Sequence, residues 1–318
     1  MDPPSPFQFG IELELLLGSR KKIFSTWTSL AHDVSKRLSA AGIPNHINTT
    51  NDKSPANYLE WSIIQEVTIP HQPAKNLWGI ELVSPPYPIH TPWPPTLHTL
   101  FTTLHTHYTL HPSPHTSTHI HISSLPSPMS SQALAALAKT ALYYEPALDT
   151  LVPPSRRGAG GSTYWCQSPR SNPALHHLPL ASCLALLDAA SHSARAVVEV
   201  MNVFPASSAY GRVKRKKRDF VRGKVYKWDL EGMGGAGGRG TVEFRQAGGC
   251  VEGWEAVGWV RLVVAFVAGA GVVGGELGGE VEGEGATGEE LWGLLVGGGE
   301  VVGWEGLGEV EGLFARAG

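Results

Sequence analysis

Cysteine is scarce in this chain. Cys166, Cys183 and Cys250 are the only three among 318 residues, too few and too scattered for a disulfide framework. A strong charge of one sign is also missing: a formal net charge of −3 gives no footprint for a general nucleic-acid or membrane-surface binder. No basic segment followed by an apolar run opens the sequence, so no secretory signal is expected. The longest apolar stretch, Val257 to Gly274, is interrupted by Arg261 and several glycines and falls short of an unbroken membrane span. Neither a GxxxxGK[ST] loop nor a kinase-type glycine loop occurs. The expectation is an intracellular, reduced, cytoplasmic protein. The basic run Lys214 to Arg218 reads either as a solvated loop or as a nuclear-localisation patch.

A hydrophobic share of 42% is ample for a core. Period-two and helical spacing alternate along the chain without strict βαβ repetition. Strands are expected near 7–17, 59–69, 77–84, 115–123, 225–230 and 241–246. Helices are expected over 27–41, 93–108, 130–151, 180–203 and 252–270. This pattern predicts an α+β fold built on a mainly antiparallel sheet. Residues 1–270 read as one domain. Residues 271–318 are dominated by Gly, Glu and Val, show no clean period, and read as a low-complexity tail.

Four segments carry charge where it is least expected: Phe9-Gly10-Ile11-Glu12-Leu13-Glu14, Gly79-Ile80-Glu81-Leu82-Val83-Ser84-Pro85, Thr118-His119-Ile120-His121-Ile122-Ser123 and Gly240-Thr241-Val242-Glu243-Phe244-Arg245. Each alternates apolar and polar residues, the mark of a strand with one buried face and one facing a cavity. On one strand, Glu12 and Glu14 stand on the same face about 6–7 Å apart at Cα. Two such carboxylates repel unless a cation lies beside them, and Glu81 and Glu243 add to the repulsion. Carboxylate-rich sites suit Mg²⁺, with Mn²⁺ as the alternative when an imidazole such as His119 joins. Arg245 offers a planar fork for a phosphoryl or carboxylate group. Metal, carboxylates and arginine are the parts of a phosphoryl-transfer site. The other histidines before His119 read as surface residues. Arg156 and Arg157 fit a solvated loop as well as a phosphate contact.

In order, FGIELE, ELVSP, THIHIS and GTVEFRQ resemble the amidoligase family common in fungi, which is similar to glutamine synthetase and glutamate–cysteine ligase in its catalytic domain. The resemblance runs from about Phe7 to Arg261 and includes Glu145, Ser155-Arg156-Arg157 and Tyr226-Lys227-Trp228-Asp229. It implies a curved antiparallel sheet forming a funnel, with ATP entering at one end and an acid at the other. It further implies that Glu12, His119 and Glu243 hold the metal at the ATP phosphates, and that Glu14 and Glu81 hold one at the acyl phosphate. His121, Arg156, Arg157 and Arg245 are expected at the nucleotide, with Arg245, Arg157 and Glu81 in the chemistry. The implied reaction joins a small-molecule or peptide carboxylate to an amine, with ATP and Mg²⁺. A metal-dependent hydrolase and a binding module without turnover are the rival readings. The chain departs from the family pattern after Trp61, where Glu66 is the candidate replacement for an aspartate, and at Asp229, where an asparagine is usual.

Overall fold

A computed structural model describes residues 6–157, 164–208, 211–212, 220–234, 238–278 and 283–317. The run Lys214 to Arg218 lies outside them. The mainly antiparallel sheet is organised around one long strand, β1 (Phe7–Ser19). On one side of β1 lie β4 (Leu77–Val83), β3 (Trp61–Ile64) and β2 (Asn45–Ile47). On the other lie β7 (Ser117–Ser124), β11 (Val242–Gly248) and β10 (Trp228–Asp229). Two short strands, β5 (Tyr87–Pro88) and β6 (Tyr108–Leu110), pair with the ends of β1. Among the described residues, β2 and β3 are the one parallel pair within this sheet. A separate ribbon joins β8 (Val203–Pro205) to β9 (Phe220–Arg222). The fold is thus α+β with an open, mostly antiparallel sheet.

Strand alternation assigns the two faces. Phe9, Ile11 and Leu13 of β1, Ile80 and Leu82 of β4, Ile120 and Ile122 of β7, and Val242 and Phe244 of β11 are all buried in one apolar cluster. Helix α7 (Gly253–Val273) packs against β1 and β7 within that cluster, with α2 (Pro94–His107) beside it. Helix α1 (Trp27–Ala40) starts at a Thr26–Ser29 capping box and buries Trp27, Leu30, Ala31, Val34 and Leu38. The opposite sheet face carries the glutamates and histidines.

Two long helices expected from the sequence are each divided. The 130–151 segment forms α3 (Ser131–Tyr143) and α4 (Glu145–Thr150), because Pro146 lacks the N–H that would continue the ladder. The 180–203 segment forms α5 (Leu180–Ala190) and α6 (Ala194–Met201), with Ser193 in extended backbone as the new N-cap.

The segment 271–318, read from composition as a low-complexity tail, contains α8 (Gly288–Val301) and α9 (Glu309–Ala317). Leu291, Leu295, Val310 and Leu313 join the main core. Both helices pack on α7, and Arg316 pairs with the buried Glu255. The glycines make this packing possible. A Cβ on Gly298 would run into the Ala265 carbonyl oxygen, and one on Gly269 would approach the Leu294 carbonyl to 2.7 Å. Helix α7 is long and apolar enough to cross a bilayer, but most of it is buried within the protein.

Gly298→Ala should destabilise the fold by about 1–3 kcal/mol through overpacking. Gly297→Ala meets nothing within 4 Å and should gain up to about 1 kcal/mol from helix propensity. Denaturant melts of the two variants check this, and equal effects would contradict the close helix–helix contact.

Candidate metal and phosphoryl-transfer site

Strand register brings the charged side chains together. Glu14 lies directly opposite Glu81 across β1 and β4, and Glu12 lies opposite His119 across β1 and β7. His121 lies opposite Glu243, which in turn lies opposite Asp229. Ligand atoms of Glu12, His121 and Glu243 fall within 4.8 Å of one another. His121 Nε2 is buried and makes no hydrogen bond, although Glu12 Oε1 lies 3.0 Å away. His119 meets the other oxygen, with Nδ1 3.1 Å from Glu12 Oε2 and Nε2 2.8 Å from Ser117 Oγ. The nitrogen left without a hydrogen bond therefore belongs to the histidine expected at the nucleotide, not to His119. Two carboxylates and one imidazole this close together fit a divalent cation with oxygen-rich ligation.

Three cavities meet here, and Glu12 and Lys53 line all three. The first, about 450 Å³, is walled by Phe9, Ile11, Tyr58, Leu59 and Val83, with Ser84 and Ser123 as polar edges. The second, about 490 Å³, carries Arg222, Lys224 and Arg239 beside Asp229, Glu231 and Glu243, with several glycines. The third, about 420 Å³, holds Glu14, Glu66, Glu81, His119, Arg156 and Arg245. Glu66, two strand steps beyond Ile64, thus reaches the cavity of Glu14 and Glu81.

Burial alone would raise both Glu12 and Glu243. The imidazoles of His121 and His119 overcome it at Glu12 and hold that carboxyl well below its usual range. Arg245, His121 and Lys224 do the same at Glu243. Burial, then the charges of Glu12 and Glu14, push Glu81 well above the ordinary carboxylate range, and burial raises Glu14. His121 is raised because Glu243 and Glu12 outweigh its burial.

Strand β11 carries a bulge between Phe244 and Ala247, which re-aims the residues between them. Arg156 holds this bulge: its Nη2 donates to the Arg245 carbonyl and its Nε to the Gln246 carbonyl at 3.3 Å. Arg156 lines the third cavity, but these donors serve the backbone. Arg245 donates Nη1 to Glu243 and keeps a buried Nε without a partner. Behind the bulge, the fully buried Lys227 donates to Glu145 at 2.6 Å and to Asp149 at 2.5 Å. Burial moves the Asp149 carboxyl up to about 6. Arg157, expected at the transferring phosphoryl, is not brought to the site. It is exposed, donates Nε to the Val152 carbonyl at 3.0 Å, and lines a separate cavity with Cys250 and Arg316. Sequence reasoning missed Lys53, Lys224 and Arg239. They lie in loops, where no periodicity marks them.

A family model described as "Putative amidoligase enzyme" matches residues 5–174, over half the chain. The chain belongs to this amidoligase family. The match contains Glu12, Glu14, Glu81, His119 and His121, while β11 with Glu243 and Arg245 follows it and joins the site by pairing with β7. Membership supports an enzyme of ligase type. No curated protein matches the chain.

The shifted groups fix a pH signature. Folded Glu81 and His121 bind protons more tightly than the unfolded chain does. Their stabilising contribution is full below their ordinary values of 4.5 and 6.5 and is lost as pH rises through the raised ones. Glu12 and Glu243 act oppositely, stabilising above 4.5 and losing that on acidification. Without divalent cations, the melting temperature should therefore fall as pH rises past 6.5. Mg²⁺ or Mn²⁺ should restore it, by about 2.7 kcal/mol at a hundredfold excess over Kd. Glu12→Gln should blunt that gain. Melts that ignore both pH and metal would remove the metal assignment.

Proposed function

We propose that the protein is an ATP-dependent carboxylate–amine ligase that forms an amide through an acyl phosphate. The observation that carries this reading is the convergence of Glu12, His121 and Glu243, whose ligand atoms lie within 4.8 Å of one another, beside Arg245, whose buried Nε has no hydrogen-bond partner. The apolar cavity suits a nucleobase, and the second cavity, with Arg222, Lys224 and Arg239, suits its phosphates. The third cavity, with Arg245 on one wall and Glu81 on another, receives the acid.

When bound, Mg²⁺ or Mn²⁺ held by Glu12, His121 and Glu243 supplies positive charge against the phosphates. An oxygen of the substrate carboxylate attacks the γ-phosphorus, the bond to ADP breaks, and an acyl phosphate forms. The amine nitrogen then bonds to the acyl carbon and inorganic phosphate leaves. Arg245 directs its fork at the oxygens of the transferring group, where charge spreads in the transition state. Glu81, its carboxyl held high by burial, is suited to take the proton that the amine loses. Ser117 donates to Glu14 at 2.5 Å and bonds His119 at 2.8 Å, which ties both side chains together in the third cavity.

Arg245→Lys keeps the charge and loses the two-pronged geometry. It should fold and bind ATP with modest loss, yet lower phosphoryl transfer by about 10²-fold, the scale of one preorganised donor. Phosphate release from ATP with pools of acids and amines measures this. Release that depends on an added acid separates a ligase from a metal-dependent hydrolase. Unchanged turnover would leave Arg245 as an ion-pair partner of Glu243 alone.

A further inference from the structure

Lys224 is a cation inside a site whose chemistry calls for another. Its Nζ donates to Glu243 Oε2 and lies 3.6 Å from Asp229 Oδ2. Arg245 occupies the other oxygen of Glu243, and the backbone N–H of Glu231 donates to Asp229 Oδ1 at 2.8 Å. Both carboxylates are nearly inaccessible, whereas the lysine side chain is 53% exposed. Its backbone is anchored on either side. Gly223 N–H donates to the Asn202 carbonyl, and the next residue, Val225, is fully buried. A fixed base therefore carries a long, flexible, half-exposed ammonium that reaches into the groove. Lys224 lines both the second and the third cavity, together with Glu12 and Glu243.

We propose that Lys224 is a tethered counter-cation that shares Glu243 with the divalent-cation site and moves to the nucleotide phosphates when Glu243 becomes a ligand. This rests on the ligase reading above. Glu243 and Asp229 face each other across β10 and β11, with Lys224 between them and solvent. A second cation at Glu243 must then work against the ammonium, since like charges at this range repel. Once displaced, the ammonium remains within its own tether length of Arg222 and Arg239, which line the second cavity with it. Lysine suits this role because it is a compact point charge on a mobile stem, whereas the arginine fork would grip the carboxylate at two points. Lys224 is a positioning residue in this scheme: it holds Glu243 in one state and phosphate in the other.

The signature is a pair of opposite effects. In nucleotide-free protein, titrated with Mn²⁺ and followed by the paramagnetic signal of the free ion, Lys224→Met should bind Mn²⁺ about 10-fold more tightly than wild type. With Mn²⁺ saturating, the same variant should bind ATP about 10-fold more weakly. Lys224→Arg retains the charge and should bind Mn²⁺ more weakly than wild type. It keeps the test open if the methionine variant does not fold. A purely structural ion pair would change metal and nucleotide affinity in the same direction, or neither. Unchanged or weaker Mn²⁺ binding by Lys224→Met, or tighter binding by Lys224→Arg, would overturn the proposal while leaving the ligase reading in place. A wild-type protein that binds neither Mn²⁺ nor ATP would overturn both.

Discussion

Compensation of negative charge on one sheet face is the constraint on which this structure depends. Glu12, Glu14, Glu81, Asp229 and Glu243 share that face, and all but Glu12 are nearly inaccessible. Buried carboxylates are tolerated only where cations or donors meet them. Glu12 is met by two histidines, and Glu243 by Arg245 and Lys224. Glu14 and Glu81 have weaker compensation, and their carboxyls are accordingly displaced upward. The groove therefore favours added positive charge near Glu14 and Glu81, while Lys53, Lys224, Arg239 and Arg245 stand close by. Such a mixture suits a site that binds metal and phosphate together.

A second layer fixes the geometry of the first. The bulge in β11 would leave two carbonyls without ladder partners, and the buried guanidinium of Arg156 meets both. Lys227 joins Glu145 and Asp149 beneath it, and Gln246 donates to Asp149. These residues do not face the cavities as ligands. They set where Arg245 and Glu243 stand, and small displacements at such positions matter for transfer chemistry.

The C-terminal helices show how composition misleads. Glycine, glutamate and valine in quantity usually mark a segment unable to bury a core. Here glycine lets α8 approach α7 backbone to backbone, and Leu291, Leu295 and Leu313 supply the apolar contact. No clean period marked these helices, and a glycine is read as a contact only when its neighbour is known.

The sequence by itself determined the α+β class, the two faces of β1, β4, β7 and β11, and the side on which Glu12, Glu14, Glu81, His119, His121, Glu243 and Arg245 stand. Period-two alternation is local, so it survives without knowledge of pairing. It also carried the amidoligase motifs in their order. Tertiary structure alone decided which strands adjoin, and hence that Glu243 faces His121 while Glu12 faces His119. It placed Arg156 on a bulge, moved Arg157 away, and brought Lys53, Lys224 and Arg239 in from loops. Loop residues carry no periodic signal. Their positions follow from the pairing of strands scattered along the chain, which no local window of sequence contains.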